Sequence, residues 1–164
     1  MTGLSLRTVV AWNKQAIKLP YNRTNFPSLT YNGFKYVVGD GNIISGSSNT
    51  YVKTAYSAPV DASTGAVGTF VTTNPDLPEV RSNHAGAAYN GYLYVLGGST
   101  VANAYTADVL RAKINTADGT VGSWSTNTSF PTARKNATAA SYNGHLYVTG
   151  GCTRTKLRNT NSGT

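Results

Sequence analysis

The chain has 164 residues, 40% hydrophobic and only 12% charged, which suits one domain, 1–164, with a core but is low for a buried α/β enzyme. Its 14 Lys and Arg against six acids give a formal charge of +8. The bases are scattered, and the one cluster, Arg154, Lys156 and Arg158, stands without a nucleic-acid-binding motif, so nucleic acid is not expected as a partner.

Thr, Asn, Ser, Gly and Tyr dominate the chain, a mixture that favours short strands and turns over helices. In chain order, the first predicted element is a strand over about 7–13 that carries Trp12. Pro20 and Arg23 follow, then the hairpin "LTYNGFKYVVGD", with Asn32 and Gly33 at its turn and Gly39 at its end. The insert "GNIISGSSNT" comes next and predicts an enlarged loop and an altered exit from the second strand. "APVDASTGAVGTF" (58–70) then runs through a turn to Phe70.

The series restarts at Pro78 and Arg81. "AAYNGYLYVLGG" is a second hairpin, because Asn90 and Gly91 tolerate the positive φ of a tight primed turn and β-formers flank them. Gly97 and Gly98 close its second strand, where bare backbone permits a sharp exit. "ADVLRAKIN" predicts a third strand, "ADGT" a turn, and "VGSWSTN" a fourth strand carrying Trp124. After Pro131 and Arg134 a third hairpin turns at Asn143 and Gly144 and ends at Gly150 and Gly151. Room then remains for a third strand but not for another Trp strand.

One unit has therefore been written repeatedly. Tyr31, Tyr89 and Tyr142 open the turns at spacings of 58 and 53 residues, within the range of supersecondary repeats. Tyr36, Tyr94 and Tyr147 keep the same register, as do the Pro-x-x-Arg steps. The approximate repeats are 12–69, 70–123 and 124–164. Four short antiparallel strands per repeat describe a propeller blade, which buries both faces against its neighbours.

These landmarks resemble the kelch repeat of β-propellers: a Gly-Gly doublet closing the second strand, a Trp or Phe on the fourth, and a Pro-x-x-Arg step into the next blade. The likeness runs from about Trp12 to Gly151. It implies an all-β fold of kelch-like blades, about three of them, as part of a propeller. Propellers typically have about four to eight blades, so further blades of a longer chain, or a homodimer completing a six-blade ring, are expected. The Thr- and Asn-rich repeats are also similar to those of bacterial surface proteins, which implies an extracellular or cell-surface location; the sequence itself leaves the location open.

No paired carboxylates, nucleophile with a base, or Cys/His cluster with metal spacing stands out, so neither catalytic residues nor a metal or other cofactor is assigned. Cys152 is the lone cysteine. Asp61, Asp76 and Asp118 fall at turns and read as turn residues. The candidate ligand-binding residues are Arg23, Arg81 and Arg134, whose guanidinium forks suit carboxylates or acidic sugars, with His84 at a strand entry and Tyr105 in a loop. The alternative role of each Arg is to bond backbone carbonyls between blades. The paired Tyr residues are expected to pack between blades with their polar tips at the edge. The expected function is non-catalytic binding of protein or glycan through the loops. Part of a carbohydrate-active propeller enzyme (sialidase, sugar oxidase or epimerase type) is the alternative, and a structural spacer the third reading.

Overall fold

The computed structural model describes residues 17–39, 43–45, 48–73, 75–101 and 104–153. Trp12 and its predicted strand, Asp40, and the basic cluster at Arg154, Lys156 and Arg158 lie outside them. Every element among the described residues is a strand.

The first sheet contains β1 (Ser28–Tyr31), β2 (Phe34–Val38), β5 (Ala55–Pro59) and β6 (Val71–Thr73), in the order β1-β2-β5-β6 and antiparallel throughout. Between β2 and β5 stands a separate hairpin, β3 (Ile43–Ser45) with β4 (Ser48–Thr50). The second sheet repeats the plan with β7 (Ala85–Tyr89), β8 (Tyr92–Leu96), β11 (Val109–Lys113) and β12 (Ser125–Asn127). Its own small hairpin is β9 (Ser99–Val101) with β10 (Ala104–Tyr105). Two strands form the third sheet, β13 (Lys135–Tyr142) and β14 (His145–Cys152).

The turns follow from residue type. Asn32, Asn90 and Asn143 have φ of 47°, 47° and 43°, and the Gly after each is also positive, the pairing that lets a two-residue loop follow the right-handed twist of its strands. In both four-stranded sheets the turn Gly carbonyl then accepts from the third strand's exit: Val60 N–H to Gly33 and Ile114 N–H to Gly91, each at 2.7 Å. Asp61 and Asp118 hold the remaining turns. The Asp61 carboxylate accepts from the Ser63 and Thr64 amides at 2.8 Å, and Asp118 from Thr120 at 2.8 Å. The Ser63 hydroxyl, donating to Asp61 Oδ1 at 2.6 Å, together with the amides keeps Asp61 below the usual carboxylate range, and the Thr120 amide does the same for Asp118.

Three details differ from the sequence reading. The second strand of the first sheet does not leave differently from its counterpart. Gly39 has φ 62° and donates to Thr54 O at 3.1 Å, while Gly97 has φ 63° and donates to Asp108 O at 2.9 Å; the added residues fold as β3 and β4 beyond that shared exit. The fourth strand starts at Ser125, one residue after Trp124, whose indole N–H instead turns back to Pro75 O at 3.1 Å. In the third sheet, β14 runs through Gly150 and Gly151, paired with β13. In the second sheet the Gly97 and Gly98 amides go to Asp108 and Arg134 carbonyls, which ends the strand.

The sheets stack face to face through two apolar layers. Tyr36, Val38 and Leu77 meet Leu93, Val95, Leu110 and Val121 between the first and second sheets. Ala85, Tyr94 and Leu96 meet Ala137, Leu146 and Val148 between the second and third. Side chains at alternate positions serve opposite layers because a strand's period is two. Tyr31 adds a polar tie across the first layer, its hydroxyl accepting the Gly91 N–H at 2.8 Å. Tyr36 is 1% exposed and Tyr94 9%, whereas their counterpart Tyr147 is 50% exposed and Tyr142 74%. Thus the outer face of the third sheet carries the residue pattern of a buried layer without a sheet against it among the described residues.

Candidate binding face

The first strands β1, β7 and β13 lie side by side, one from each sheet. Antiparallel pairing fixes which loops share an end with them. The start of β1 pairs with the end of β2, Ser28 opposite Val37, and the start of β7 with the end of β8, Ala85 opposite Leu96. One face of the molecule therefore collects the Pro-x-x-Arg segments, the Gly39 and Gly97 exits, and the β3–β4 and β9–β10 hairpins. The opposite face carries the Asn-Gly turns and the Asp61 and Asp118 turns.

On the first face each Pro-x-x-Arg segment works as a staple. Arg23 donates from Nη1 to Gly39 O at 2.9 Å, Arg81 to Gly97 O at 3.2 Å, and Arg134 to Gly150 O at 2.9 Å. Each guanidinium thus reaches the end of the second strand in its own repeat, sixteen residues on. The backbone of the same segment docks on the preceding repeat, with the Arg81 N–H to Val52 O at 3.4 Å and the Arg134 N–H to Thr106 O at 3.2 Å. A side chain holding one sheet and a main chain holding the previous one join consecutive sheets. Arg81 is buried, with Asp108 Oδ2 3.4 Å from its Nη2, whereas Arg134 is only partly covered and has Phe130 beneath it at 6.0 Å. Arg23 lies over the Tyr56 ring at 4.7 Å.

His84 is buried, and neither ring nitrogen has a partner at hydrogen-bond geometry. Burial, with the Arg81 guanidinium beside it, pulls its pKa down to about 3, the Val38 backbone opposing weakly. The ring is therefore neutral and wedged against the Gly39 exit, where a β-carbon would stand 2.9 Å from Cε1. Tyr105, in β10, lies under the Lys135 ammonium at 4.7 Å and so links the second repeat's loop to the third sheet. The structure brings Arg81 and His84 together. Arg23, Arg134 and Tyr105 stand apart on the same face, each in or beside a different sheet.

The sequence reading passed over three residues here. Two positions after each Arg stands an Asn: Asn25, Asn83 and Asn136. Each is left-handed, with φ of 59°, 54° and 58°, and the Asn83 N–H donates to Asn25 O at 3.0 Å and the Asn136 N–H to Asn83 O at 2.8 Å. This backbone ladder steps from sheet to sheet along the ends of the first strands. The signal was present as Pro-x-x-Arg-x-Asn, and extending the motif by two residues would have found it. The three Asn residues line one cleft of about 360 Å³, together with Phe26, Ser28 and Thr138. No charged side chain lines it, since His84, which borders it, is neutral.

A family model described as the kelch motif matches residues 133–163, which include β13 and β14. No curated protein matches the chain in sequence. Among solved structures, one titled "Structure of YjhT", a kelch-type β-propeller, aligns with a TM-score of 0.63 and 17% identity, over 86% of this chain and 47% of that one. The chain thus spans about half the length of that neighbour, and the likeness concerns the fold. Repeat register, sheet order and these two comparisons agree on the fold: successive blades of a kelch-type β-propeller, with a kelch motif matched at residues 133–163.

Proposed function

We propose that the chain is a ligand-binding propeller module whose protein or glycan ligand docks on the face bearing the long loops, within a larger extracellular or cell-surface protein. The observation that carries this reading is the coincidence, on one face, of the interblade cleft with the β3–β4 and β9–β10 hairpins. Binding residues concentrate on loops held by a rigid scaffold. The stapled Gly exits supply such a scaffold, and the two hairpins differ between repeats while the strands beneath them keep one order and antiparallel pairing. In this reading Arg23, Arg81 and Arg134 shape the face through their carbonyl contacts. Tyr105 and the border of the cleft at His84 stand closest to the ligand. The surface location is supported by the Thr- and Asn-rich composition and the likeness to surface-protein repeats.

Further blades complete the module. The exposed Tyr142 and Tyr147 occupy the positions that Tyr31 and Tyr36 fill beneath the second blade, so another kelch blade fits there, from a longer chain or from a second copy that closes a six-blade ring.

The test is binding of the full chain to glycan and peptide arrays, beside a variant whose 99–105 hairpin is replaced by a short Gly-Ser link. Saturable binding that the loop variant loses, and that Asp61→Asn on the opposite face keeps, is the expected result. Binding indifferent to the loop, or turnover of a bound saccharide, overturns the reading.

A further inference from the structure

We infer that the Asn25–Asn83–Asn136 collar is a subsite for a neutral, hydroxyl-rich ligand, a saccharide without acidic groups, held by side-chain carboxamides at the ends of the first strands. The inference rests on the binding-face reading above and names the ligand chemistry of that face.

Three observations carry it. The first is placement: the three Asn residues come from three different blades yet line a single cleft of about 360 Å³, a size that suits a small ligand. The second is what their backbones already do. The Asn83 and Asn136 amides and the Asn25 and Asn83 carbonyls are used in the ladder at 3.0 and 2.8 Å. These main-chain groups are thus unavailable to a peptide strand seeking to pair by edge addition, and recognition falls to the side chains. Among these, Asn83 Nδ2 donates to Ser82 Oγ at 3.2 Å, which orients its amide.

The third observation is charge. A chain with a formal charge of +8 would be expected to show cations at any anion site, yet the guanidinium groups nearest the cleft are turned onto Gly39, Gly97 and Gly150 carbonyls and none of them lines it. A carboxamide offers one acceptor and two donors without charge, the complement of hydroxyls that both donate and accept. Ser28 and Thr138 add two more groups of the same kind, and Phe26 supplies an apolar wall for the C–H face of a ring.

A left-handed position accepts Gly with less strain than Asn, and the chain places both residues at such sites, with Asn32, Asn90 and Asn143 at the hairpin turns. The experiment is therefore clean, because Asn→Gly removes the amide while leaving the backbone in a conformation Gly adopts readily.

The experiment uses the full chain with maltotriose, cellotriose and N-acetylglucosamine trimer as neutral probes, and a uronic acid trisaccharide as the anionic one, read by saturation-transfer NMR and titration calorimetry. At least one neutral probe is expected to bind saturably and more tightly than the anionic one. Asn83→Gly and Asn136→Gly should each weaken it about tenfold or more, with the cooperative thermal melt retained. Failure of every neutral probe, preference for the anionic probe, or affinity unchanged in both Gly variants overturns the inference. A peptide or protein ligand that depends on the 99–105 hairpin but not on the collar would overturn this inference while leaving the binding face in place. An Asn83→Ser variant serves as a second probe should Asn83→Gly fail to fold.

Discussion

His84 is a buried neutral imidazole whose repeat counterparts are Phe26 and Ala137, so nothing in the blade plan requires a titratable ring there. Its folded pKa lies near 3 against the usual 6.5. As pH falls below 6.5 the unfolded chain takes up the proton first, so stability is lost progressively from 6.5 down to about 3, at no more than about 1.4 kcal/mol per pH unit. The window between pH 6.5 and about 5 lies above the carboxylate range. A thermal melt followed across it should fall for the native chain and stay flat for His84→Phe; equal slopes would show that the imidazole is already charged when folded. Arg81 and Arg134 make the same carbonyl contact at different burial, which separates fork geometry from exposure. Arg81→Lys should cost about 1–3 kcal/mol in chemical denaturation, because a point-charge ammonium cannot serve both Gly97 O and Asp108. Arg134→Lys at its part-exposed site should cost less than about 1 kcal/mol, since water replaces a lost contact there.

At the scale of the element, the end of the second strand is where one blade receives the next. A β-carbon on Gly39 would stand 2.6 Å from the Arg81 carbonyl and one on Gly97 2.6 Å from the Arg134 carbonyl, while one on Gly150 meets nothing within 4 Å. All three have positive φ, 62°, 63° and 72°, so the conformational strain of an Ala is shared and only the interblade contact differs. Gly150→Ala should therefore cost about 1–2 kcal/mol from strain alone, and Gly97→Ala at least about 1 kcal/mol more, measured by denaturant midpoint on the isolated chain. Equal losses would mean that the third blade is already covered at that point. The hairpins were legible in sequence because Asn-Gly specifies its turn locally. The start of the fourth strand was not, because Trp124 is withdrawn from the ladder by a carbonyl 49 residues away at Pro75.

For the whole molecule, the third blade sets the limit on stability and solubility. Tyr142 at 74% and Tyr147 at 50% exposure stand in a two-stranded sheet whose outer edge has no partner strand among the described residues, a combination that invites association. The isolated chain is expected to run on a sizing column with light scattering as a species larger than its 17.3 kDa monomer, and Tyr142→Ser with Tyr147→Ser should return it to monomer mass. A native chain that is monomeric at every concentration would remove the case for another blade on this face. A discrete dimer would favour a second copy as the source of a covering blade; a broad distribution would favour blades of a longer chain.

The sequence by itself determined the repeat, its four-strand content, the positions of the turns and the residues that face the interblade layers. All of these depend on local φ preference, on the period of two along a strand, and on a register that copying preserves. Only the tertiary structure decided which groups are available to a ligand. In sequence Arg23, Arg81 and Arg134 stand both as candidate anion ligands and as donors to backbone carbonyls; in the fold each guanidinium donates to a carbonyl, at Gly39, Gly97 and Gly150. Asn25, Asn83 and Asn136 read as three scattered amides until the stacking of the blades brought them to one cleft. A side chain's reach depends on what packs beside it: each guanidinium finds its carbonyl sixteen residues on in its own repeat, whereas each collar Asn meets one from another repeat more than fifty residues away along the chain.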